Sequence, residues 1–320
     1  MSVTIAALHA DKVHAAITTN EAARSALVAS WRRSASLHQL DPAERTPPQR
    51  MSGSELRLAR QRTEPLIHAA QASLDRLYLA VGGVGCCVLL ADRDGVPIER
   101  RGAVSDDQTF EEWGLWTGTI WSEESEGTNG IGTCLVEGRA LTIHRDQHFY
   151  SRNTLLSCTT APIYDHEGNI AAALDVSSCR ADLTEGYVQL IQMAVGDAVR
   201  RIEAENFRLA FPHARVVLAP TPDHSSAALL AVDRDDLIIG ATRSARLALG
   251  LNSESFSQPL PAGDLLGGAR GESFDGAERA VVQRALARAR GNVSAAAETL
   301  GVSRATLHRK LARLGIRRTH

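Results

Sequence analysis

The chain has 320 residues, 44% hydrophobic and 22% charged, which suits soluble globular protein in two or three domains. No run of about 18 apolar residues exists to cross a membrane, and five cysteines (Cys86, Cys87, Cys134, Cys158, Cys179) without a CxxC pair suit reduced thiols in a cytoplasm rather than a disulfide framework. The net charge of −2 is unevenly spread: ten Lys/Arg and two acids put +8 on residues 277–320, which leaves −10 on the first 276.

The N-terminus, MSVTIAALHADKVHAA, has no basic stretch ahead of an apolar core and is not read as a secretion signal. Residues 21–39 predict an amphipathic helix, which the prolines of LDPAERTPP (40–48) break. A second helix is expected from about Ser54 to Leu79. GCCVLLAD-RDG-VPIERRG (85–102) reads as a hairpin, its strands joined by an Asp-Gly turn. Cys86 and Cys87 then fall on opposite faces of a strand and cannot pair. A loop rich in Trp and Gly (113–133), a short helix and the strand ALTI (140–143) follow. TTAPIYDHEGNIAAALDVS (159–177) is a second hairpin that turns at Asp165–Asn169. Residues 184–206 predict a long helix with Tyr187, Leu190, Ile191, Ala194, Val195, Ala198 and Ile202 along one stripe. This order gives an α+β domain, an antiparallel sheet covered by helices. VVLAP (216–220) and residues 227–251 read as strand, strand-turn-strand, helix. A Ser/Gly/Pro-rich linker covers 253–276.

The C-terminal block is all helical. Residues 277–292 form a first helix with Val281, Val282, Ala285, Leu286 and Ala289 on one side. In GNVSAAAETLGVSRATLHRKLARLGI (291–316), Asn292 caps a second helix and Gly301 supplies the left-handed residue that ends it. Val302 plugs the turn. Ser303 caps a third helix whose Leu307, Leu311 and Leu314 face inward. That leaves Ser303, Arg304, Thr306, His308, Arg309, Lys310 and Arg313 to meet the major groove of double-stranded DNA. A solvated basic hairpin is the alternative; charge together with caps, turn and core spacing favours DNA.

Two resemblances follow from these residues. The helix before Gly291-Asn292, the Ala pair, Leu300-Gly301-Val302-Ser303-Arg304, Thr306-Leu307 and His308-Arg309-Lys310-Leu311 resemble the Fis-family DNA-binding domain. WTGTIWSEESEGTNGIGTCL (116–135), HRDQHF (144–149), LLSCTTAPIYDHEGNIAAALDVS (155–177), SWRRS (30–34) and LDP (40–42) resemble the N-terminal region of acetoin-catabolism-type regulators. That resemblance implies a GAF-like sensor over 61–206 behind a helical segment at 1–60, then a short, degenerate PAS-like segment at 207–252, the linker at 253–276 and the DNA-binding domain at 277–320. Fuller members of that family place an ATPase of the sigma-54 activator type ahead of the DNA-binding domain. Here the linker runs straight into it. The two lysines, Lys12 and Lys310, do not follow a glycine, so no phosphate-binding loop of the GxxxxGK[ST] type exists in this sequence.

The candidate effector site is built on EGTNGIGT (126–133). Its glycines either free backbone N–H groups at a helix start for a ligand or only permit a tight loop. Trp121, Thr128, Asn129, His148, Phe149, Cys158 and Asp175 are the candidate ligand-binding residues. Trp116 and Trp121 either line a pocket or close the core. Cys158 either faces the pocket or is a small buried hydrophobe. Asp175 either bonds a polar ligand or caps the following loop. His144 and His148 would share a face if helical, but no third ligand accompanies them and no metal is expected. No catalytic constellation and no cofactor site stands out.

The expected protein is a cytoplasmic, homodimeric regulator that binds a small-molecule effector and operator DNA, with RNA polymerase as a further partner and without ATPase activity. An accessory or antagonist protein working with a full-length paralogue is the second reading: a filled pocket favours it, and a polar-lined cavity favours the sensor. A thiol enzyme built on Cys134 and Cys158 is the third.

Overall fold

The computed structural model describes residues 2–19, 25–180, 185–221, 226–256, 259–266 and 273–316. The chain divides into two compact units, 1–260 and 261–320.

The first unit opens with α1 (Ser2–Thr18), inside the segment expected to be helical, and α2 (Ala26–Arg32), which runs into a π-helical turn at Arg33–Leu37. Residues 20–24, which include the start of the helix expected over 21–39, lie outside the described residues. The single helix expected over 54–79 is two, α3 (Gly53–Arg62) and α4 (Glu64–Val81), separated at Thr63. Pro65 is the cause: it has no N–H and its ring collides with the preceding turn, so it is accommodated at the start of a helix.

β1 (Cys86–Asp92) and β2 (Pro97–Arg101) make the first hairpin. After it come α5 (Asp107–Glu112), α6 (Glu123–Glu126), α7 (Gly130–Glu137) and β3 (Leu141–His144). β4 (Ser157–Tyr164) and β5 (Ile170–Ser178) make the second hairpin, and α8 (Glu185–Ala210) follows. The five strands form one antiparallel sheet in the order β2-β1-β5-β4-β3.

Both faces of this sheet are covered, which is why the central strands read as continuous apolar runs. On one face α4 and α8 pack Leu74, Leu77, Val195 and Ile202 against Cys86, Val88, Leu90 and Leu174. On the other, Phe110, Leu115, Trp121, Ile131 and Cys134 pack against Cys87, Leu89, Cys158 and Ala173. Cys86 and Cys87 therefore belong to different cores. The α8 stripe is narrower than expected: Tyr187 and Leu190 are 47% and 63% exposed, and only positions from Ile191 onward are buried. Thr184 lies outside the described residues.

The end of α8 carries a smaller antiparallel sheet, β6 (Arg215–Leu218), β7 (Leu229–Val232) and β8 (Ile238–Ala241), with α9 (Arg243–Leu249) after it. Phe207 is buried among Leu229 and Ala231, so this segment has a small core of its own with α8.

The second unit has the short α10 (Ala262–Leu266) and then α11 (Phe274–Arg288), α12 (Val293–Thr299) and α13 (Arg304–Arg313). Their core is Val282, Ala285, Ala296, Ala297, Leu307, Leu311 and Leu314. Val281, expected on the inner side, is 42% exposed. Arg317 and Arg318 lie outside the described residues.

Candidate functional sites

In the first unit, α7 begins where the glycine-rich loop meets the sheet. Asn129 caps it, its Oδ1 accepting from Gly132 N at 2.9 Å while its Nδ2 donates to Gly127 O at 2.9 Å. The glycines serve close approach more than positive φ. A Cβ on Gly130 would lie 2.6 Å from both Cys158 Cβ and Thr160 Oγ1, and one on Gly132 would lie 2.3 Å from Glu123 N.

Beneath Gly130 is a buried polar row set by strand register, since Cys158 pairs with Ser177 and Thr160 with Asp175. Asp175 accepts from Thr160 Oγ1 at 2.5 Å and from Ser177 Oγ at 2.6 Å, so it caps no loop. Burial pushes its carboxyl up to about 6, against the pull of the two hydroxyls. His148 Nε2 lies 3.4 Å from Cys158 Sγ, and its Nδ1 lies 2.9 Å from Arg145 O. Burial lowers His148 to about 4, which keeps it neutral. Residues 145–147 form a 3-10 turn and His148 is extended, so His144 and His148 do not share a helical face. Trp121 Nε1 donates to Gly114 O at 2.8 Å, and Phe149 is fully buried beside Trp31 and Tyr150. Burial also drives the Cys134 and Cys158 thiols far above their ordinary range.

Of the seven candidate ligand residues, Thr128 lies in the wall of a cleft, although it is itself fully buried. It lines a cleft of about 320 Å³ together with Ser30, Thr133, Thr142, Gln147 and Gln192. The other six are equally buried, each at most 4% exposed, and do not line that cleft. The sequence reading missed the residues that build this cleft. Ser30 Oγ lies 2.7 Å from Thr128 Oγ1 and donates to Glu123 Oε2 at 2.9 Å. Arg33 Nε donates to Glu123 Oε1 at 2.7 Å. The SWRRS string thus lies on the EESEGTNGIGT string, a juxtaposition that a separation of about 90 residues conceals.

In the second unit the expected caps are present. Asn292 Oδ1 accepts from Ser294 N and Ala295 N at 3.0 and 3.2 Å, and Ser303 Oγ accepts from Thr306 N at 3.1 Å. Gly301, at φ +64°, closes α12. On α13, Ser303, Arg304, Arg309 and Arg313 are exposed, and Thr306, His308 and Lys310 are half-buried. Lys310 and Arg313 both reach back to Glu278 on α11.

A capped, Leu-cored pair of helices with cations on its second member is a helix-turn-helix, and residues 274–314 match the bacterial regulatory protein family named Fis. Residues 9–201 match the MimR N-terminal domain, and the chain belongs to that family. It is 33% identical over 239 residues, 73% of this chain and 36% of the relative, to the acetoin catabolism regulatory protein of Cupriavidus necator. It is 28% identical to the propane 2-monooxygenase operon transcriptional activator MimR of Mycolicibacterium smegmatis, over 56% of this chain and 30% of that one. The chain spans about a third of the length of the curated relatives it matches. A crystal structure of the E. coli DhaR(N)–DhaL complex shares the fold, with a TM-score of 0.51 at 15% identity, covering 73% of this chain and 80% of that one.

Proposed function

We propose that this protein is a cytoplasmic transcriptional regulator that senses a small metabolite in its first unit and binds operator DNA through α13 as a homodimer, with RNA polymerase as its further partner and no ATP hydrolysis of its own. The observation that carries the reading is α13 itself: capped by Ser303, seated on Leu307 and Leu311, and presenting Arg304 and Arg309 outward. A helix so built enters the major groove with its first turn at the base edges. The test is selection of a duplex from random sequence by the full chain, followed by binding to the chain lacking 277–320. Binding retained by the shortened chain would end this reading.

The effector site is the cleft at Thr128. Hydroxyls, amides and aliphatic side chains such as Leu27, Leu141 and Ile143 line it, and the charged groups in its lining, Glu137 and Arg139, pair with each other at 2.5 Å. Such a lining suits a small uncharged metabolite that hydrogen-bonds, at the low end of the usual pocket size. Trp121, Asn129, His148, Phe149, Cys158 and Asp175 support the loop and helix that carry Thr128. A ligand that binds the native state raises the melting temperature with its concentration. A thermal-shift screen of small neutral ketones, alcohols and aromatic compounds is expected to give a hit that Thr128→Val weakens. The close packing of six candidate residues favours the second reading, an accessory protein acting with a full-length paralogue. No hit, together with mixed dimers on co-purification, would select it. The buried, protonated thiols support a non-enzymatic role, because the thiolate is the nucleophile.

A further inference from the structure

We propose that Glu278 sets the DNA affinity of this protein by holding two cations of α13 away from phosphate. The inference rests on the DNA-binding reading above. Four residues of α13 carry a fixed positive charge: Arg304, Arg309, Lys310 and Arg313. Lys310 donates to Glu278, and Arg313 pairs with the same carboxylate. Asp275, one turn earlier on α11, lies 3.7 Å from Arg313. The Glu278 side chain is 23% exposed against 36% for Lys310 and 58% for Arg313, so the acid is the fixed member and the cations reach to it. Arg304 and Arg309 have no carboxylate partner among the described residues; Arg309 instead lies 3.4 Å from the Thr306 hydroxyl.

The consequence is electrostatic. Asp275, Glu278, Lys310 and Arg313 sum to zero charge, which neutralises half of the four cations on the recognition helix. Each phosphate neutralised by a protein cation releases counterions and adds about 0.9 to the slope of log affinity against log salt. Lys310 and Arg313 can make such contacts only by giving up Glu278. Nearly two phosphate contacts per helix-turn-helix are therefore withheld, and binding is weaker and less salt-dependent than the +8 charge of residues 277–320 implies.

The experiment is a salt titration of the full chain on its selected duplex, comparing wild type, Glu278→Gln, Lys310→Ala and the double variant. Glu278→Gln is expected to bind about ten-fold tighter at low salt, with a slope steeper by about 1–2 per recognition helix. Lys310→Ala alone is expected to leave the slope nearly unchanged, and in the Glu278→Gln background to remove about 0.9 of the gain. An unchanged slope, or weaker binding, in a Glu278→Gln protein that is folded by circular dichroism would overturn the proposal. So would a fall of about 0.9 in the slope for Lys310→Ala alone, which would place Lys310 on phosphate already. If Glu278→Gln does not fold, the Lys310→Ala result decides alone. Failure of the wild type to bind DNA would sink the functional reading itself; binding without these shifts would sink only the role of Glu278.

Discussion

Asp175 is a fully buried carboxyl whose hydrogen-bond donors are two hydroxyls. Its folded value of about 6 stands above the ordinary 3.8, so the folded chain holds a proton that the unfolded chain releases. Stability from this group is complete below pH 3.8 and is lost as pH rises through 6, by up to about 3 kcal/mol at roughly 1.4 kcal/mol per unit. Asp175→Asn removes the charge and keeps the shape, and either hydroxyl can turn to accept from the amide. The variant is expected to melt higher than wild type at pH 7.5 and at about the same temperature at pH 4. Equal melting at both values would show the carboxyl to be better solvated than its burial implies. On α13, Arg304→Ala is expected to cost about 1–3 kcal/mol at one base pair and relax preference there, because the first turn meets base edges. Arg309→Ala is expected to weaken all duplexes alike. Anisotropy titrations on single-base variants of the selected duplex separate the two.

At the scale of elements, caps and close approaches define the sites. Asn292→Ala removes the acceptor for two N–H groups of α12 and is expected to cost about 1 kcal/mol of stability in chemical denaturation. The glycines of the 126–133 loop divide by cause. Gly132→Ala would push a methyl into the backbone of Trp121 and Glu123 and is expected to cost about 1–3 kcal/mol. Gly83→Ala meets nothing within 4 Å and serves as the control. If both variants were neutral, the loop would be looser than its packing indicates. The alternation along β1 and the inward leucines of α13 were readable because side-chain period alone assigns them to faces. The break at Thr63 was signalled by Pro65. The exposure of Tyr187 and Leu190 was not readable, because periodicity marks a stripe without saying how far along α8 the partner α4 extends.

At the scale of the molecule, 72 residues separate the family matches ending at 201 and starting at 274, and their described residues hold the end of α8, a small three-stranded sheet and the short helices α9 and α10. The chain has no lysine after a glycine with which to bind nucleotide in a phosphate loop. Transcription from its target promoter is therefore expected to persist in a strain lacking sigma-54. Strict dependence on that factor, measured by a reporter fusion, would mean that a partner supplies the ATPase and would favour the accessory reading.

The sequence by itself determined what local spacing encodes: both hairpins, the antiparallel α+β class, the helix-turn-helix with its caps, and the basic C-terminal block. Each rests on residues a few positions apart, where backbone geometry leaves little choice. Tertiary structure decided what depends on distant neighbours. The pairing of β1 with β5 brings Cys87 and Asp175 onto one face, and Ser30 joins Thr128 and Glu123 to build the cleft. The same packing buries Trp121, Phe149 and Cys158, three of the seven residues expected to bind a ligand. Lys310 and Arg313 looked equivalent to Arg304 and Arg309 as charges in a row. Only the docking of α11 beside α13 put Glu278 within reach of two of them.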